Sequence, residues 1–175
     1  MGKDKFIFIG DSLVADFDWQ ARMPFFDVKN YGVPGETTQG LLERLPSVIE
    51  KVDNPLIALI MTGTNNVLNE DYSFVDMLNK IIVDLSNANH KTEIIVNSLF
   101  PINVSTLSKE GIVRINKDIE KITRKTGSCF LNMYDRFENS EAQLFLEDGV
   151  HLNDKAYSLW ARSIMEYLSF ILEDD

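Results

Sequence analysis

Four large apolar residues, Phe6-Ile7-Phe8-Ile9, run without a break into Gly10-Asp11-Ser12-Leu13. A run of this length near a chain start, closed by a turn residue, reads as a buried strand. Gly10 permits a sharp turn after it. Open α/β sheets take their ligands at the carboxyl ends of their strands. Ser12 therefore stands where chemistry is expected, although a serine after a strand also fits a helix N-cap.

Strand-like runs then alternate with helix-like segments, which argues for a parallel α/β sheet. The strands are expected at Lys5 to Ile9, Asp27 to Tyr31, Leu56 to Met61, Ile94 to Asn97 and Cys129 to Met133. A partly helical segment is expected from Leu13 to Met23, ending before Pro24. Thr37 or Thr38 can cap a helix through Leu45, and Pro46 should break or restart it. Thr62 to Asp71 is expected as a polar loop. Phe74, Val75, Leu78, Ile81, Ile82 and Leu85 recur at helical spacing behind a possible cap at Ser73. Ile112, Ile115, Ile119 and Ile122 form a second stripe that Gly127 ends. After a loop reaching Asn153, a last helix should bury Trp160, Ile164, Leu168 and Ile171. Five short strands between helices give a three-layer α/β/α sandwich, expected to occupy residues 1–175 as a single domain.

Composition narrows the function classes. Seventeen basic against 27 acidic residues give a net charge of −10, and no basic cluster offers a footprint for nucleic acid. No apolar run is long enough to span a membrane. No secretory apolar region follows Met-Gly-Lys-Asp-Lys, so a cytoplasmic location is the default expectation. Cys129 is the only cysteine; it excludes an intramolecular disulfide and fits a small core residue better than a nucleophile. There is no His-x-x-x-His pattern, so no metal and no other cofactor is expected.

Two histidines remain. His90, in Asn89-His90-Lys91, fits a solvated helix end on the edge away from the strand ends. His151 lies three residues after Asp148, in Asp148-Gly149-Val150-His151. One turn can bring a carboxylate to its Nδ1 and leave Nε2 free as a base; a local Asp–His cap of the last helix fits the same spacing. Ser98, at the end of the fourth strand, rivals Ser12 by position, although Leu99-Phe100-Pro101 after it resembles a pocket wall. Val14 occupies the second glycine position of a Gly-x-Ser-x-Gly elbow, so the α/β-hydrolase turn is not expected. Gly35, in a turn that opens a helix, can offer an outward N–H or be a plain turn glycine. Asn65, after the most apolar strand, can donate its amide to an oxyanion or stabilise its own loop.

Ser12, Gly35, Asn65 and His151 fall on four loops of one sheet edge. With these blocks in this order the chain resembles the SGNH hydrolase superfamily, which contains the GDSL esterases and lipases, over essentially its whole length. The blocks are Gly10-Asp11-Ser12-Leu13, Asn30-Tyr31-Gly32-Val33-Pro34-Gly35, Gly63-Thr64-Asn65-Asn66 and Asp148-Gly149-Val150-His151. The resemblance implies a flavodoxin-like sandwich with strand order 2-1-3-4-5. It implies a carboxylic ester hydrolase acting on a small-molecule ester, with Ser12 as nucleophile, His151 as base and Asp148 as the third triad member. It also implies an oxyanion hole made of the Ser12 and Gly35 N–H groups and the Asn65 side chain. Short-acyl, O-acetyl, lysophospholipid-like and thioester substrates stay open, as do an acyltransferase and a non-catalytic ester- or carbohydrate-binding protein on the same fold. Leu99 and Phe100 are candidate acyl-pocket residues. Asn66 departs from the aspartate common at its position, so hydrogen bonding in that loop should differ.

Overall fold

The computed structural model describes residues 2–103, 105 and 107–173, with backbone only for 171–173. Five parallel strands form one sheet in the order β2-β1-β3-β4-β5. They are β1 (Lys5–Gly10), β2 (Asp27–Gly32), β3 (Ile57–Met61), β4 (Glu93–Asn97) and β5 (Cys129–Leu131). Between them lie α1 (Ser12–Ala15), α2 (Trp19–Arg22), α3 (Thr38–Lys51), α4 (Thr64–Leu68), α5 (Val75–Ala88), α6 (Lys109–Thr126), α7 (Met133–Glu138) and α8 (Asp154–Glu173). The flavodoxin-like α/β/α sandwich and its strand order are as expected.

Burial on both faces explains why the strands read as continuous apolar runs. Side chains alternate along β1, and every one from Phe6 to Ile9 is fully buried. Phe6 stacks on Phe8 at 4.6 Å between ring centroids, and Phe8 stacks on Trp19 of α2 at 4.1 Å. Trp19 meets Trp160 of α8 edge-on at 4.9 Å. Both indole N–H groups are satisfied, Trp19 by the Val14 carbonyl and Trp160 by the Asn97 side chain, as burial of a polar group requires. The helices α3, α5 and α6 neighbour one another in sequence order. The α8 helix closes over α1, where the Tyr157 hydroxyl donates to the Leu13 carbonyl at 3.0 Å. The side chain of Ile171 lies outside the described residues.

Several local expectations change. Helix α3 runs straight through Pro46. Leu41, Leu45 and Val48 bury one stripe on both sides of the proline, while Pro46 is exposed, so the carbonyl left without a partner can turn to water. Thr37 is the cap of that helix, accepting from Gly40 N–H. Ser73 caps nothing; α5 begins after Phe74, and Ser73 instead donates to Asp71. The stretch expected as a polar loop contains α4, and the segment from Leu13 to Met23 splits into α1 and α2. Strand β5 stops at Leu131 and α7 follows. Among the described residues no helix is long and apolar enough to cross a membrane.

Gly10 has a reason other than turning. It is the last residue of β1 and is not among the positive-φ residues. A Cβ there would lie 2.0 Å from the Met61 carbonyl oxygen and 2.7 Å from Val14 Cγ2. The glycine lets α1 fold back tightly against the β1–β3 pair. Gly10→Ala should cost about 1–3 kcal/mol of stability through this overlap. Urea unfolding of the purified variant checks it, and an unchanged midpoint would mean the two strand ends separate freely.

Candidate active site

Register brings three of the four candidate loops together. Gly10 pairs with Gly32 on one side and Met61 on the other, so β2, β1 and β3 end level with one another. Ser12, Gly35 and Asn65 each lie only a few residues past those aligned ends. His151 arrives on a separate loop, between α7 and α8. An antiparallel bridge between Phe145 and Leu152 pins its loop, with Leu146 N–H donating to the His151 carbonyl at 2.8 Å.

Ser12 is the first residue of α1, and its Oγ lies 3.3 Å from His151 Nε2. His151 Nδ1 lies 2.6 Å from Asp148 Oδ2. The other Asp148 oxygen accepts the N–H groups of Val150 and His151, both at 2.9 Å. The Val150 N–H, the His151 ring and the His151 N–H hold the Asp148 carboxyl down at about 2. An ionised carboxylate only accepts, so Nδ1 carries the proton, and whenever the ring is neutral Nε2 faces Ser12 with a lone pair. Both partners are well exposed, with side-chain accessibilities of 42% and 49%. Geometry rather than burial holds them in line.

The facing side of the site is built from the β2–α3 and β3–α4 connections. Gly35 has φ +76°, a backbone shape that side-chain-bearing residues rarely adopt. It is exposed, and a Cβ there would meet nothing, so the positive φ, not crowding, is what asks for glycine. The Asn65 side-chain amide donates to the Glu36 carbonyl at 2.9 Å. An amide nitrogen carries two hydrogens, so one remains for another acceptor. Asn66 is used structurally. Its oxygen accepts the Thr38 N–H at 2.8 Å and the Thr38 hydroxyl at 3.1 Å, and its nitrogen donates to Asp71 at 2.8 Å. An aspartate could not make that last donation, which accounts physically for the departure at this position.

The other candidates lie elsewhere. Ser98 is fully buried, and its Oγ accepts the Tyr134 N–H at 2.9 Å. Leu99 and Phe100 are placed in the core: they are 1% and 0% exposed, and Phe100 packs on Phe137 and Trp160. They form no open wall beside Ser12. His90 is exposed just past α5, and Cys129 is half-buried with its thiol pushed up by burial. A groove of about 600 Å³ between α6 and α7, lined by Lys109, Arg114, Tyr134 and Glu138 among others, contains none of the four site residues. Among the described residues no cluster of three or more His, Cys, Asp or Glu side chains is placed to hold a metal ion. Sequence reasoning missed Glu36 and Arg44, which join across the β2–α3 turn; Glu36 lies before α3 and Arg44 inside it, so no single helical or strand period relates them.

Residues 8–159 match the model of the GDSL-like lipase/acylhydrolase family. No match was found among the curated proteins. Among solved structures, a Streptococcus pneumonia protein provisionally named a platelet activating factor superposes with a TM-score of 0.83 at 23% identity, covering 95% of this chain and 84% of that one. A GDSL-like lipase from Bacteroides thetaiotaomicron gives 0.75 at 21% identity, covering 96% and 89%. The acetylxylan esterase Axe2 from Geobacillus stearothermophilus gives 0.77 at 21% identity, covering 94% of each chain. At these identities the likeness is one of fold.

Asp11, beside Ser12, is fully buried. Its Oδ1 caps α1 through the Leu13 N–H at 3.0 Å, whereas its Oδ2 has no hydrogen-bond partner. Burial drives its carboxyl up from 3.8 to about 7; the Leu13 N–H, the nearby Thr64 hydroxyl and His151 oppose the rise, and Glu36 adds to it. Between those values the folded protein holds a proton that the unfolded chain has released. Stability from this group therefore falls as pH rises through that window. Asp11→Asn keeps the capping oxygen and removes the titration. The stability of Asp11→Asn relative to the parent should rise between about pH 4 and about pH 8, read from urea midpoints of both proteins. A constant difference would show that this carboxyl does not titrate there.

Proposed function

The chain belongs to the GDSL-like lipase/acylhydrolase family, and from that premise we propose that it hydrolyses carboxylic esters through an acyl-enzyme on Ser12. The observation that carries this reading is the unbroken relay Ser12 Oγ–His151 Nε2 and His151 Nδ1–Asp148, at 3.3 and 2.6 Å. His151 takes the Ser12 proton as Oγ attacks the ester carbonyl carbon. Asp148 keeps the ring in the required tautomer and stabilises the imidazolium that forms. The carbonyl oxygen, now an oxyanion, is held by the Ser12 and Gly35 N–H groups and by the second Asn65 amide hydrogen. The N–H of a residue in the first helical turn has no acceptor within its own helix, which suits Ser12 to this task. Collapse expels the alcohol, protonated by His151. Water then attacks the acyl-enzyme with His151 as base, and the carboxylic acid leaves.

A short acyl group, such as acetyl, is the substrate class best supported. Leu99 and Phe100 are closed into the core and offer no apolar channel for a long chain. Ser12 lies partly exposed on an open sheet edge, where a bulky alcohol portion has room. The fold likeness to an acetylxylan esterase is in keeping with this choice.

Chromogenic esters of graded acyl length test the proposal, with kcat/KM expected to fall as the chain grows. Ser12→Ala should abolish turnover and any burst of released alcohol. Asn65→Ala should lower kcat by about 10²–10³-fold, the effect of losing one oxyanion donor, with circular dichroism reporting an intact fold. Asp148→Asn should lower kcat by up to about 10⁴-fold through the wrong tautomer. Ser12→Ala with undiminished turnover would sink the mechanism.

A further inference from the structure

The Asn65 amide is held by the Glu36 carbonyl, so what holds Glu36 decides where Asn65 points. Glu36 follows Gly35 directly, and its N–H donates to the Val33 carbonyl at 3.2 Å. Its carboxylate is gripped by Arg44 of α3 in a two-pronged pair: Nε to Oε1 at 2.5 Å and Nη2 to Oε2 at 2.7 Å. The same Nη2 donates to the Tyr31 carbonyl near the end of β2, also at 2.7 Å. One guanidinium therefore ties together α3, the end of β2 and the turn that carries both Gly35 and the Asn65 anchor. The pair is largely shielded from water, with side-chain accessibilities of 25% for Arg44 and 9% for Glu36. A planar fork of this kind fixes orientation as well as distance.

Two further observations show that the arrangement is built. Gly40 stands in the first turn of α3, where glycine weakens a helix. A Cβ there would come within 3.2 Å of Glu36 Cγ, so the helix gives up a side chain where the Glu36 stem passes. The Glu36 charge also reaches Asp11, next to the nucleophile. A free carboxylate so close would oppose negative charge developing on a substrate oxygen; the paired Arg44 guanidinium reduces that field without abolishing it.

We propose that the Glu36–Arg44 fork is the positioning element of the oxyanion side of this site, holding the Gly35–Glu36 turn and, through the Glu36 carbonyl, the Asn65 amide. This rests on the esterase reading. Neither residue touches the reacting atoms; both act through Gly35 and Asn65.

The test uses the full chain and p-nitrophenyl acetate. Arg44→Lys keeps the charge and loses the fork, while Glu36→Gln keeps the shape and the backbone carbonyl and loses the charge; the second serves if the first fails to fold. Each folded variant should lower kcat about 10-fold or more with KM held within about twofold, the pattern of a misplaced transition-state contact. In an Asn65→Ala background, Arg44→Lys should lower kcat by less, because one of the two contacts the fork supports is already gone. A purely structural role would give the same fold-loss in both backgrounds and would overturn the proposal, as would parent-like kcat in both folded variants. No Ser12-dependent turnover in the parent protein would overturn the esterase reading and this proposal together. Ser12-dependent turnover in the parent with undiminished kcat in both variants would overturn this proposal alone.

Discussion

Backbone hydrogen bonding between β1 and its two neighbours is the constraint on which the rest depends. Gly10 pairs with Gly32 and with Met61, so three strands stop at one level. A slip of one residue in either pairing would turn every side chain of that strand to the other face. It would also carry Gly35 or Asn65 away from Ser12. Burial on both faces, with Phe6 and Phe8 stacked into Trp19 and Trp160, makes such a slip costly. The same packing that stabilises the domain therefore sets the relative heights of three site loops.

Three carboxylates surround Ser12, and their environments give them different roles. Asp148 is exposed and bound by two backbone N–H groups and a histidine, so it stays ionised far below neutral pH. Asp11 is enclosed with one oxygen unpartnered, and burial favours its neutral form up to about 7. Glu36 is nearly buried but gripped by a guanidinium. Hydrogen bonding to the charged form, desolvation and ion pairing are the three ways a protein tunes a carboxyl. The first acts on Asp148 and the second on Asp11.

The elements legible in the sequence were those with an unambiguous period or an uninterrupted apolar run. The isoleucine stripe of α6 and the runs of β1 and β3 fold as their patterns say, because a long periodic face has only one way to be buried. The four site blocks were legible too, since each carries turn chemistry or a catalytic residue type at short spacing. Short elements were not. Helices α4 and α7 are too brief to show a period, and α3 passes Pro46 because Leu45 and Val48 bury on both sides of it. Leu99 and Phe100 read as a pocket wall from their place in the chain, yet Trp160 and Phe137 close over Phe100. Position after a strand does not reveal which distant helix packs on a side chain.

By itself, the sequence determined the parallel α/β class, the family and the residue types available for acyl transfer, because those are written in local patterns and in the order of short blocks. Tertiary structure decided how they meet. It leaves Ser12 partly exposed and buries Ser98 beneath the Tyr134 N–H, out of reach of a substrate. It aimed His151 at Ser12 across a separation of 139 residues, and it joined Glu36 to Arg44 across a turn whose shape no local pattern encodes. The division follows from range: periodicity and turn propensity act over a few residues, whereas register, closure and ion pairing depend on which surfaces the folded chain brings together.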